Sequence, residues 1–179
     1  MRRQDGMALG LGFLLVSSAA SAAVPKELEP LTFLLGEWDA SGSGKPGEGT
    51  GSTSFVLRLQ DRVIVRTNFA DNPRTAKSPE SRHDDLMVIH AASGGVGADY
   101  YDNEGHVLRY VVTSAGPGEA SFVSEVVEGS PRFRLSYKLR PDSVLKGEFA
   151  IAPPGKPEAF APYLAWESRR AKASVKAHP

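Results

Sequence analysis

Cysteine is absent from the 179 residues, so no disulfide staples the fold, no thiol acts as nucleophile or metal ligand, and no cysteine carries a lipid. Net charge is absent as well. Lys and Arg total 21 and so do Asp and Glu, which leaves no basic footprint for a phosphate backbone, and a nucleic-acid partner is not expected. No apolar run approaches the roughly 20 residues that a membrane-crossing helix needs. Also missing are HExxH, a nucleophile elbow and a phosphate-binding loop: Gly44-Lys45 lacks both the preceding glycine spacing and the following Ser or Thr. These absences remove the strong motif arguments for an enzyme. No repeat of the propeller or solenoid kind is visible.

What remains is an ordinary globular composition, 41% hydrophobic and 23% charged, enough for one domain with a real core. The first segment stands apart from it. A short basic start, "MRRQDG", precedes an apolar stretch, "MALGLGFLLVSS", too short to span a bilayer, and then the small residues "AASAA". That order is expected of a cleavable secretory signal over residues 1–23, cut after Ala22 or Ala23, with the mature protein periplasmic or secreted from a bacterium and free of integral membrane segments. Residues 24–170 then form the domain, and residues 171–179 ("AKASVKAHP") lack periodicity and are expected to fray.

Along the domain the period is two almost everywhere. In "RFRLSYKLR" Phe133, Leu135, Tyr137 and Leu139 alternate with Arg132, Arg134, Ser136, Lys138 and Arg140, a strand with one oily and one wet side. "FVLRLQ" sets Phe55, Leu57 and Leu59 on one face. "RVIVRTNF" sets Val63, Val65, Thr67 and Phe69 against Arg62, Arg66 and Asn68, with Ile64 out of pattern. Counting similar segments gives about ten short strands at even spacing, the pattern of an all-β protein. The sole helical signal is "VPKELEPLTFLLG", in which Pro25 suits a first turn and Pro30 is expected to interrupt it, leaving one or two turns to plug one end. Asp102 to Gly105 carry the chemistry of a tight hairpin. The expected fold is a single antiparallel up-and-down β-barrel of about 8–10 strands with a short N-terminal helical turn, closed on itself so that no edges remain. Two long breaks, Asp71 to Arg82 and Ala152 to Pro162, are either lids over a site or surface excursions.

In such a barrel the first strand must bend over the closed end. There Gly36 allows close backbone approach, and Trp38, two residues on and on the same face, seals the floor. The LxxLxGxW pattern over Leu31 to Trp38, ahead of many short strands and opposite Arg169 and Arg170 in "YLAWESRR", resembles the calycins: lipocalins, fatty-acid-binding proteins, nitrobindin-like barrels and uncharacterised bacterial lipocalin-like domains. The resemblance lies in layout over residues 28–170 and implies that Trp38 packs beneath an Arg from the last strand. Nitrobindin-like barrels add a glycine loop and a haem-ligating His near the last strand. Here Gly42, Gly44 and Pro46 echo the loop, but the last strand holds no His, so haem is not expected and no other cofactor is implied.

The expected function is an exported binding barrel for a small apolar or amphipathic molecule, with Arg66, Phe69, His83, Met87, Tyr137 and Tyr163 as the candidate ligand contacts. Phe55, Val65, Phe122, Phe133, Leu135 and Phe149 are expected to line the same interior. Two alternatives stay open. His83 and Asp85, on one face of a strand with His106 nearby, form either an acid–base pair for a hydrolase or isomerase or a polar strand end; the histidines lack a third fixed ligand, so no metal is assigned. The barrel is otherwise filled by its own side chains and structural in role.

Overall fold

The computed structural model describes residues 23–41, 49–76 and 79–172; the expected signal segment (residues 1–23) falls outside them but for its last residue, as do the glycine-rich stretch at 42–48 and the end of the tail. Ten strands follow one another: β1 (Gly36–Ser41), β2 (Thr50–Arg58), β3 (Val63–Asn72), β4 (Ser81–Ala92), β5 (Gly95–Asp102), β6 (Val107–Gly116), β7 (Glu119–Ser124), β8 (Arg132–Leu139), β9 (Leu145–Ala152) and β10 (Ala161–Arg170). Each pairs antiparallel with its neighbours in sequence, and β1 pairs with β10 to close the barrel. All-β, up-and-down and closed, the fold leaves no sheet edge for another chain to extend.

A 3-10 turn, Glu29–Leu34, precedes β1 and buries Leu31 and Leu34 completely. Pro30 sits at its start, where a missing N–H costs nothing, and so begins the turn that the sequence pattern had it interrupt. The turn plugs the end of the barrel at which β1 begins. The opposite end, called the mouth below, carries the connections β3–β4, β5–β6, β7–β8 and β9–β10.

Register fixes which residues face inward. Arg66 lies opposite Phe55 on one side and Met87 on the other, all three buried with Ile64. The inward face of β3 is therefore Ile64, Arg66 and Asn68, the reverse of the assignment by apolarity, and Val65 and Phe69 face outward. The reason lies on β4: Asp85 meets Arg66 inside the barrel and neutralises it, so a charged residue takes the place that the valines would otherwise fill. Along β8 the alternation holds, with Phe133, Leu135, Tyr137 and Leu139 facing Ile151, Phe149, Gly147 and Leu145 across β8 and β9; Leu59, set on one face with Phe55 and Leu57 by the pattern, instead lies past the end of β2 in the turn to β3 and is 74% exposed.

The waist of the barrel is filled. Phe55 on β2 meets Tyr137 on the facing wall edge to face at 5.5 Å, and Tyr137 also meets Phe122 at 6.4 Å and Trp166 at 6.2 Å. Gly147 makes the last contact possible, since a β-carbon there would collide with the Trp166 ring.

Candidate functional site

Above the waist the inner wall divides in two. On β2 to β5, polar residues at alternate positions face inward: Thr53, then Arg66 and Asn68, then His83 and Asp85, then Tyr100 and Asp102. They form one network. Asp85 accepts from Arg66, and from Asn68 Nδ2 at 2.8 Å; Thr53 Oγ1 donates to Asn68 Oδ1 at 2.5 Å. His83 bridges to the mouth, with Nε2 at 3.4 Å from Asp85 Oδ2 and 3.2 Å from the Tyr100 hydroxyl, and Nδ1 at 3.1 Å from Glu104. Tyr100 donates in turn to Asp102 at 3.2 Å, which also lies 2.8 Å from His106 Nδ1. The β5–β6 hairpin presents these last groups because Asp102 Oδ1 accepts from the backbone N–H of Glu104 and His106, the self-capping habit of Asp in tight turns.

Across from this wall, β8 to β10 are aromatic. Phe133 and Phe149 stack at 5.8 Å and 12°, Phe149 meets Tyr163 at 6.3 Å, Leu164 lies opposite Phe149 in the register of β9 and β10, and Trp166 continues the surface. Val126 and Val127 in the β7–β8 connection are 61% and 60% exposed, so apolar surface extends to the mouth on this side.

The charges follow from the contacts. Hydrogen bonds to Asp85, and then to Glu104, outweigh burial and lift His83 to about 9. At neutral pH it is a cation fixed between two carboxylates; it can donate a proton or hold an anion, but it is no base. Burial pushes Asp85 up, but the Arg66 charge and the bonds from His83 and Asn68 hold it below the ordinary carboxylate value. Burial and the neighbouring carboxylates push the Tyr100 hydroxyl far up, so it stays protonated. Two buried polar atoms have no hydrogen-bond partner among the described residues: Arg66 Nε and the Tyr137 hydroxyl.

The residues singled out by sequence are thus dispersed. Arg66, Met87 and Tyr137 are buried at the waist, and His83 is half-buried nearer the mouth. Tyr163 sits at a bulge in β10, more than half exposed. Phe69 lies on the outer wall, its ring under Arg82 at 4.4 Å. Arg170 stacks on Trp38, whereas Arg169 is exposed opposite Asp39. Sequence reasoning missed Thr53, Asn68, Tyr100 and Asp102 as members of the network; the available signal was polar pairs two apart on three successive strands, Arg66 and Asn68, His83 and Asp85, Tyr100 and Asp102.

Two concavities, of about 610 and 580 Å³, open on the outer surface. The first is walled chiefly by outward residues of β2 to β5, including Ser54, Thr67, Phe69, Leu86 and Tyr101; the second lies at the β3–β4 connection. Among the described residues no group of three or more His, Asp or Glu is arranged to hold a metal ion, and no helix is long and apolar enough to cross a membrane. No family model matches the chain, and no curated protein matches it either.

Proposed function

We propose that this protein is an exported binding barrel that holds a small amphipathic molecule in the mouth half of its interior. The observation that carries the reading is the division of the inner wall, with stacked Phe133 and Phe149 facing a hydrogen-bonded wall of Asn68, His83, Asp85 and Tyr100. A flat apolar flank lies against the rings, and a polar edge turns toward β3 to β5. Sites for small molecules combine these same ingredients, mostly apolar walls with a few fixed polar groups. Export rests on the basic start, apolar stretch and small residues of the first 23 positions. Kinship with the calycins is supported by the Gly36, Trp38 and Arg170 arrangement at the plugged end.

An acid–base enzyme finds less support, because His83 is held in its charged form by Asp85 and Glu104. The test is titration of the purified protein with the apolar fluorophore N-phenyl-1-naphthylamine, alongside native mass spectrometry for a co-purified molecule. Binding on the order of micromolar is expected, and Phe149→Glu, with its far-ultraviolet spectrum unchanged, weakens it at least about tenfold. A protein that takes up neither the dye nor any host molecule ends this reading.

A further inference from the structure

The register that brings Arg66 and Asp85 together inside the barrel also turns the residues between them out. Phe69 on β3, Leu86 on β4 and Tyr101 on β5 therefore stand on the outer wall, Leu86 38% and Tyr101 45% exposed. Beside them the outward residues are short: Ser52 and Ser54 on β2, then Thr67 on β3. A floor of short side chains between taller ones gives this wall, convex by construction, a concavity of about 610 Å³. Its main row, Glu37, Ser54, Thr67, Leu86 and Tyr101, runs straight across five strands. With neighbouring strands about 4.8 Å apart, Leu86 lies about 14 Å from Glu37 and Tyr101 about 19 Å from it. A groove in this direction on a closed barrel offers no backbone edge, so a peptide cannot enter it as an added strand. Side chains alone must hold the occupant.

The two ends of the groove differ. Leu86 and Tyr101 make one end apolar. At the other stands Glu37, exposed, with no partner for its carboxylate among the described residues. Asp84 adds a second carboxylate, and no Lys, Arg or His is among the described residues that line the groove. Arg82, at the rim, is committed elsewhere: it lies 2.9 Å from Asp84 and 3.3 Å from Asp71, with its guanidinium over the Phe69 ring. One cation against Glu37, Asp71 and Asp84 leaves the local charge negative, so an anionic head is repelled. The other polar groups are already paired. Ser54 and Thr67 share a hydrogen bond at 2.7 Å, and the Asn103 amide bonds the Arg82 carbonyl and the Asp84 N–H. Asp85 and Asp102 turn into the barrel, where Arg66, His83 and His106 meet them. Among the described residues that line the groove, Glu37 is thus the carboxylate left uncompensated.

We propose that this outer groove is a second binding site, separate from the mouth, for an elongated organic cation: a long-chain amine or quaternary ammonium whose positive end pairs with Glu37 and whose apolar body crosses Ser54 and Thr67 to Leu86 and Tyr101. Charge complementarity sets the sign of the head, and the distance from Glu37 to Leu86 sets the length of the body.

The experiment is calorimetric titration with decyltrimethylammonium and with decyl sulfate, ions of equal chain length and opposite charge, below the concentrations at which they form micelles. The cation is expected to bind at about 0.1–1 mM and roughly tenfold tighter than the anion. Glu37→Gln, at an exposed position, should weaken the cation about threefold to fivefold and leave the anion no weaker, whereas Leu86→Ser should weaken both. Far-ultraviolet spectra and N-phenyl-1-naphthylamine affinity of both variants should match the parent, because neither side chain faces the mouth. Equal affinity for the two ions, or a cation affinity unchanged in Glu37→Gln, overturns the inference. A cation that ignores Glu37→Gln and displaces the dye binds in the mouth, which overturns the groove and keeps the binding reading. The expected pattern in a protein that takes up no dye and no host molecule does the reverse.

Discussion

Trp38 gives its indole N–H to the Leu34 carbonyl at 2.7 Å, and Arg170 lies over its ring at 4.0 Å while donating to the Leu35 carbonyl. A single indole therefore ties the plugging turn, the first strand and the last strand together. Gly36 is what lets the guanidinium in. Its φ is +116°, and a β-carbon at that position would collide with Arg170. A cation over an indole contributes about 0.5–2 kcal/mol, and a charge-assisted hydrogen bond about 1.5–3 kcal/mol; Arg170 is itself exposed, so solvent discounts both. Arg170→Ala is accordingly expected to lower the unfolding free energy by about 1–3 kcal/mol in urea titration. Arg170→Lys should recover only part, since an ammonium does not stack as a planar guanidinium does. Arg169→Ala, at an exposed neighbouring position, should stay within about 0.5 kcal/mol of the parent. Equal losses at 169 and 170 would refute the assignment.

At the scale of elements, the β2–β3 connection stores strain. Leu59, Gln60 and Asp61 have φ of 53°, 54° and 64°, three successive residues in the left-handed region, where each residue other than glycine costs about 1–2 kcal/mol. Gln60 is exposed at the centre of the turn. Gln60→Gly should therefore raise stability, by up to about 1 kcal/mol once the greater freedom of glycine in the unfolded chain is deducted. Chemical denaturation checks this, and a loss of stability would contradict it. The turn also illustrates what a pattern leaves hidden, because nothing in "LQD" announces a left-handed run. Strand β8 was legible from Phe133, Leu135, Tyr137 and Leu139, because each apolar residue pointed where its own polarity suggested. Strand β3 was not: the residue that draws Arg66 inward is Asp85, 19 positions away on the next strand, and periodicity carries no information about partners. The same limit hid the site. Thr53, Asn68, Asp85 and Tyr100 became one network only through the register of four strands, whereas Gly36 and Trp38 announced their place locally.

The pH response belongs to the whole molecule, because the network joins β2, β3, β4 and the β5–β6 hairpin across the interior. His83 gains two carboxylate partners on folding, which lifts it from its ordinary 6.5 to about 9. Between these two values the folded protein binds more protons than the unfolded chain, and the slope of stability with pH is negative there. The contribution is complete below pH 6.5 and lost as pH rises through about 9. The carboxylates act in the opposite sense. For Asp85, burial pushes upward but Arg66, His83 and Asn68 prevail; for Asp102, burial is outweighed by bonds from His106 and the Glu104 backbone. Both are held below the ordinary 3.8, so their contributions are present above that value and fade as pH falls below it. The thermal midpoint should form a plateau between about pH 5 and 6.5, falling on the acid side through the carboxylates and on the alkaline side through His83. His83→Gln should lower the plateau, flatten the alkaline limb and, because His83 is one of the groups that hold Asp85 low, also weaken the acid limb in part; added salt should weaken the His83 effect in part, since its side chain remains 30% exposed. Unfolding followed by circular dichroism from pH 4 to 9.5 distinguishes the cases, and an identical alkaline slope in the parent and in His83→Gln would mean that this histidine does not clamp the hairpin to the barrel wall.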